Sequence, residues 1–229
     1  MEKTQQQILR HHGGDGEHAR EMITQSYERR HDCEFWEFWN QQMAGAIQPD
    51  DVLLDLGAGI GQFVNDLALR YPQNRAIGIE AAEYMLVAGL KLPENGRLLR
   101  GDLLAPQNWV DHGSAAAVMA NMLLHELPQP VTLIKAVYQW LKPGGRWCII
   151  DLVRQPLQVY LDYKFPDKRL WDDAVEKEEI EEVFEHFLEH NRYHAEDLIY
   201  MLEQAGFELV EQTPMGRMTR LVVEKPLHS

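Results

Sequence analysis

The chain predicts an α/β fold, a largely parallel sheet with helices on both faces, on three observations. An apolar run, Val52–Leu56, breaks into glycines at 57, 59 and 61 and passes into a helical pattern. Beyond it, short apolar runs alternate with amphipathic stretches, as stacked strand–helix–strand units require. The 229 residues, 45% of them hydrophobic, suffice for one such domain with a sizeable core and a small added segment.

In chain order, residues 1 to about 20 are polar, include His11-His-Gly-Gly-Asp-Gly16, and predict a mobile tail or loop. Over 27–47, Phe35, Trp36, Trp39, Met43 and Ile47 recur at helical spacing, which predicts one helix laying an aromatic face on the domain. Pro49-Asp50-Asp51 ends it and leads into the strand Val52–Leu56. Four further strands are expected near 76–79, 97–100, 115–119 and 146–152. The helices between them are expected at Gln62–Arg70 and near 82–88, 107–111 and 131–141. Lys142-Pro-Gly-Gly145 stops the last of these and turns the chain. Residues 154 to about 191 carry aromatics and acids without strand patterning and predict an inserted helical element. A helix, Ala195–Gln204, the break Ala205-Gly206, a strand over 207–212 and an apolar run over 221–224 complete seven strands.

Charge excludes some functions. A net charge of −14 repels a nucleic-acid backbone, so no DNA or RNA partner is expected. No apolar run approaches the roughly 20 residues of a membrane span, and the N-terminus lacks an apolar signal core. Cys33 and Cys148 provide no disulfide framework, and the expected location is cytoplasmic. Between Asp172 and Asp197, eleven acidic residues face Lys177 and Arg192, a local balance of −9. They read as a solvated face above an apolar stripe of Ile180, Val183, Phe184, Phe187 and Leu188, or as an acidic rim that favours a neutral or amine-bearing substrate.

The glycine turn carries the chemistry. Glycines at 57, 59 and 61 let the backbone and a helix N-terminus approach a bound nucleoside closely. The dinucleotide fingerprint G-x-G-x-x-G/A would need a small residue at Gln62. Here the third glycine falls one place early, and Asp55 sits two places before the first. A ligand without phosphates tolerates that carboxylate where a pyrophosphate would not.

Asp55-Leu-Gly-Ala-Gly-Ile-Gly61 resembles motif I, D/E-x-G-x-G-x-G, of the class I S-adenosylmethionine-dependent methyltransferases. Ile77-Gly-Ile-Glu80 looks like the end of that family's second strand, and Gly101-Asp102-Leu103 like its next cofactor loop. Leu141-Lys-Pro-Gly-Gly145 resembles its turn into the fifth strand, and the stretch from His194 to Phe207 its helix before a terminal hairpin. The resemblance covers about residues 50 to 225 and implies a Rossmann-like seven-stranded sheet in a single domain over 1–229. Within it, 1–48 would be a tail and lid helix, 50–152 the cofactor half, 154–191 a helical insertion completing the lid, and 194–225 the C-terminal helix and hairpin. It further implies S-adenosyl-L-methionine as cofactor, held by Asp55, Gly57, Ala58, Gly59, Gly61, Glu80, Ala81, Asp102, Leu103 and Asn121. Glu80 would accept both ribose hydroxyls, Asp102 the adenine amino group, and Asp55 would lie near the methionyl end. Each acid also has a plainer role, Glu80 as a helix cap and Asp102 as a turn residue.

Asn121 to Glu126 follows the fourth strand, at the edge where open α/β sheets bind ligands. The family's Asn/Asp-Pro-Pro-Tyr/Phe motif for nucleobase and glutamine acceptors is absent, which leaves a small-molecule acceptor. His125 is the expected base where the acceptor carries a proton, with Glu126 orienting it and His194 behind, although a hydrogen-bonded structural histidine is the alternative. Tyr27, Trp36, Trp39, Tyr160 and Tyr163 are expected to close the acceptor pocket, or else to be core. His186, His190 and His194 share a helical spacing, but a break near Asn191 argues against a metal there. Three rivals remain: an NAD(P) oxidoreductase, a non-methylating enzyme using the same cofactor, and a binding protein that keeps the fold without turnover.

Overall fold

The computed structural model describes residues 16–167, 169–171 and 175–227. Its helices are α1 (Gly16–Arg30), α2 (Cys33–Gln42), α3 (Gln62–Arg70), α4 (Glu83–Val87), α5 (Val131–Trp140), α6 (Leu157–Lys164), α7 (Lys177–His190) and α8 (Ala195–Gln204). Its strands are β1 (Val52–Leu56), β2 (Arg75–Glu80), β3 (Gly96–Arg100), β4 (Ala115–Asn121), β5 (Leu141–Leu152), β6 (Glu208–Met215) and β7 (Met218–Glu224). They form one sheet in the order β3-β2-β1-β4-β5-β7-β6, parallel from β3 through β5, with β7 antiparallel to β5 and β6. The Rossmann-like seven-stranded α/β class expected from the sequence is present.

Period-two alternation explains the layers. Val52, Leu54 and Leu56 of β1 join one core with Leu133, Val137 and Trp140 of α5 and Leu198 and Leu202 of α8. Leu53 points the other way, into a second core with Phe35, Trp39, Phe63 and Val64 from α2 and α3. All five residues of β1 are buried, as a central parallel strand covered on both faces should be.

Several boundaries differ from expectation. The helix expected over 27–47 is two helices, because Asp32 caps α2 by accepting the Phe35 N–H at 3.0 Å and so breaks the chain after α1. Residues 16–20, expected in a tail, belong to α1; the rest of that segment lies outside the described residues. No helix forms over 107–111: the run between Pro106 and Gly113 is too short to nucleate one, and Trp109 instead packs on Trp140. The turn 142–145 is nested inside β5. Pairing with β4 jumps from Leu141 to Arg146, and Gly144, at φ 75°, donates its N–H to the Lys225 carbonyl. The insertion holds a small core of its own, Tyr160, Leu161, Phe165, Leu170, Val183 and Phe187. Among the described residues no helix is long and apolar enough to cross a membrane.

Candidate functional site

A cavity of about 600 Å³ opens at the carboxyl edge of β1, β2 and β4. There β1 separates β2 from β4, so the connections leave toward opposite sides, the place where open α/β sheets bind ligands. Its two ends are built differently.

The first end is main chain shaped by glycine. Gly57 and Gly59 line it with φ of 74° and 54°. Gly61 does not line it: at φ 87° it stands before α3, so its part is to shape the turn. Gly78 of β2 lets the turn sit down on the sheet, since a Cβ there would lie 2.6 Å from the Ala58 Cβ. Glu80 ties the turn from below, accepting the Gly59 N–H at 2.8 Å and the Ala82 N–H at 2.7 Å. Burial pushes its carboxyl up, against the pull of these N–H groups. Asp55 is buried beside it, and burial together with the Glu80 charge pushes its carboxyl up to about 7. Asp102 accepts the Leu104 N–H at 3.0 Å and lines the cavity with Ala58, Ala81 and Leu103.

Asn121, at the end of β4, also lines the wall, and its Oδ1 is buried without a hydrogen-bond partner. Such an orphaned acceptor suits a ligand donor. Met122 follows in the left-handed region at φ 57°, a costly conformation for methionine and one often found at binding sites.

The second end is made of side chains from distant segments. His125 lies in a short 3-10 turn, Leu124–Glu126, only 5% exposed. Its Nδ1 meets Asp151 Oδ1 at 2.5 Å, and its Nε2 lies 3.2 Å from Glu126 Oε1. Asp151, the acid that ends the apolar part of β5, is fully buried and also accepts the N–H groups of Leu123, Leu124 and Leu152. His190, at the end of α7, brings its Nε2 to 3.4 Å from the same Glu126 oxygen. Burial disfavours a charged His125, but Asp151 and Glu126 outweigh it and push the imidazole up to about 10. The ring therefore holds its proton between two carboxylates at neutral pH. Both nitrogens of the expected base are thus engaged by carboxylates.

α1 and the residue after it cover the cavity with Gln25, Ser26, Tyr27, Arg29, Arg30 and His31, and of these Arg30 feels the charge of Asp151. Tyr27 donates to Asp66 at 2.6 Å and stacks on His31. His31 is held down to about 4, chiefly by burial, and its Nε2 has no hydrogen-bond partner.

Other expected residues lie elsewhere. Trp36 and Trp39 do not line the cavity: they pack behind it in the core against Phe63, with the Trp39 Nε1–H donating to the Tyr71 hydroxyl. Apolar rings at helical spacing were drawn to the sheet face rather than to a ligand. Tyr160 bonds His186 at 2.8 Å inside the insertion, and Tyr163 is exposed under Arg217. His194 caps α8 in a reciprocal pair with Asp197 and stays outside the cavity. The acidic stretch of α7 turns Glu178, Glu181 and Glu182 to solvent over buried Val183 and Phe187, and among the described residues of α7 only His190 lines the cavity.

The described grouping with cation-ligand geometry is His125, Glu126 and His190, whose ligand atoms lie within 4.8 Å of one another. It shares only His190 with the 186/190/194 spacing, because α7 ends at His190. Arg29, Arg30, His31 and Asp151 were missed in the sequence. Only Asp151 had a signal there, a single acid closing an apolar strand as Asp55 does.

The family model described as a methyltransferase domain matches residues 26–212. The chain is 30% identical over 196 residues to a 2-phytyl-1,4-naphtoquinone methyltransferase of Synechococcus elongatus, covering 78% of this chain and 81% of that protein. It is 33% identical over 97 residues to a trans-aconitate 2-methyltransferase of Sinorhizobium fredii; this match spans 42% of this chain and only 37% of that protein's length. Among solved structures it resembles the geranyl diphosphate C-methyltransferase of Streptomyces coelicolor, solved with Mg2+, geranyl diphosphate and S-adenosyl-L-homocysteine. The TM-score is 0.59 at 15% identity, over 82% of this chain and 77% of that one. A turn shaped for a nucleoside, on this sheet order and inside this match, places the chain in the methyltransferase-domain family, the class I S-adenosylmethionine-dependent methyltransferases.

Proposed function

We propose that the chain transfers a methyl group from S-adenosyl-L-methionine to a small-molecule acceptor bound in the same cavity. The observation that carries this is the cavity's division into a glycine-cradled end and a side-chain end within one space of about 600 Å³, a volume typical of small-ligand sites. The orphaned Asn121 Oδ1 and the close seat of the turn on Gly78 fit a nucleoside with an amino-acid tail. Glu80 would hold the ribose hydroxyls, since each of its oxygens keeps a second lone pair beside the N–H it accepts. Asp102 would hold the adenine amino group, and Asp55 with Asn121 the cationic methionyl end.

When bound, the sulfonium supplies an activated methyl group. The protein's task is then alignment and exclusion of water, which α1 and the 122–127 segment perform from either side. A net charge of −14 supports a small acceptor over a nucleic acid.

Calorimetric titration with S-adenosylhomocysteine, with NADH as control, tests the cofactor end. Glu80→Ala and Asp102→Ala are each expected to weaken binding at least tenfold, about 1.4 kcal/mol. Wild-type protein that binds NADH and not the thioether would overturn the proposal. The same preparation, given methyl-labelled S-adenosylmethionine and a small-molecule panel, reads the transfer itself.

A further inference from the structure

The last turn of α1 sets two guanidinium groups, Arg29 and Arg30, on the wall of the cavity. Arg30 is half-buried, and among the described residues its guanidinium makes no ion pair or hydrogen bond. The carboxylate whose field it feels is Asp151. Asp151 is already committed, to the His125 ring and to three backbone N–H groups. Glu126 is likewise shared between the rings of His125 and His190. A guanidinium drawn out of water cannot shed its proton as a lysine can, so its burial calls for an anion. The cavity is where that anion can come from.

Proton accounting points the same way. An acceptor that loses a proton on methylation needs a group able to take it. The His125 ring is held by carboxylates on both nitrogens, His31 is too weak a base at about 4, and Asp55, at about 7, belongs to the glycine-cradled end. The Tyr27 phenol donates to Asp66. A nucleophile that arrives already anionic needs no base.

We infer that the acceptor bears a carboxylate, that Arg30 with Arg29 at the rim binds it, and that methylation falls on a carboxylate oxygen to give a methyl ester. This rests on the proposal that the cavity binds S-adenosylmethionine. In the step, an oxygen lone pair forms the bond to the methyl carbon as the methyl–sulfur bond breaks. The electron pair of that bond goes to sulfur, leaving the neutral thioether, and no proton moves.

The test has a binding arm and a product arm. The protein is first titrated with S-adenosylhomocysteine; failure here withdraws the parent proposal and this one with it. The saturated complex is then titrated with trans-aconitate and a panel of other di- and tricarboxylates, each against its fully esterified form. Methyl-labelled S-adenosylmethionine is offered with the same acids beside amines and phenols of similar size. The expected result is an acid that binds where its ester does not, and label released as methanol by mild alkali. Arg30→Gln should weaken that acid at least tenfold and Arg30→Lys restore part of the loss, with thioether affinity unchanged in both. The inference is overturned, and the methyltransferase proposal kept, if thioether binds but no acid does, if an amine or phenol takes the label instead, or if Arg30→Gln binds the acid as wild type does.

Discussion

The two ends of the cavity obey different rules of construction. The proposed nucleoside end is made by residues close in sequence or at adjacent strand tips, Asp55 to Gly59, Glu80 and Asp102, and most of its shape is backbone. The proposed acceptor end joins Arg30, His125, Asp151 and His190, four side chains from four separate elements. Its order depends on electrostatics between groups the fold must bring together. One end is a property of a turn, the other of a whole tertiary structure. Damage to them should accordingly differ in kind.

The largest effect is expected at the acceptor end. Asp151→Asn removes one partner of a buried ion pair and leaves the His125 ring without its anchor, a change that typically costs about 3–5 kcal/mol. The sign with pH is fixed by the raised pKa of His125. The pair's stabilisation is complete below the ordinary value of 6.5 and is lost as pH climbs through about 10. Urea unfolding at several pH values should show wild type losing stability across that window and the variant losing much less. Equal slopes would mean that Asp151 does not hold the proton on His125. Thioether binding should survive in the variant's folded fraction, which separates this end from the other.

This contrast also explains what could be read in the sequence. The glycine turn, the acids at 55, 80 and 102, and the strand alternation are local patterns, so the sheet and the grouping of these residues at one end of the cavity were legible. His190 meets His125, and Arg30 feels Asp151, only because α1 and α7 fold back over the sheet edge, and no spacing records that. Trp36 and Trp39 show the opposite error. Their helical spacing established an apolar face but not whether that face meets a ligand or Phe63. His194 was misplaced for a similar reason, since a histidine before a helix followed three residues later by Asp197 is a capping pattern.

A smaller effect is expected from Gly78→Ala at the nucleoside end. The added methyl would stand 2.6 Å from both the Ala58 Cβ and Leu98 Cδ2, so the turn or the side chain must shift. Overpacking of this kind costs about 1–3 kcal/mol. Because the displaced atoms carry the cradle itself, thioether affinity should fall along with stability, whereas Asp151→Asn loses stability without it. Calorimetry and urea titration on the same samples decide this, and a variant that loses stability yet binds normally would show that the turn adapts.

The finest distinction is one of pH. Asp55 lies where burial and the Glu80 charge push its carboxyl up to about 7, whereas His31 and His125 titrate far to either side, near 4 and near 10. Below pH 7 Asp55 is neutral and offers little to a cationic methionyl end; above it, the carboxylate is ionised and attracts that charge. S-adenosylmethionine affinity should therefore level off above neutrality and fall by about tenfold per pH unit below it, as linkage to one ionisation requires. At pH near 6, binding should also release protons, visible as a buffer-dependent enthalpy. Asp55→Asn should bind more weakly at pH 8 and lose the dependence. A wild-type profile flat from pH 5 to 8 would mean that Asp55 stays ionised and that the turn's N–H groups shield it from burial. The nucleoside end would then be electrostatically as fixed as its backbone.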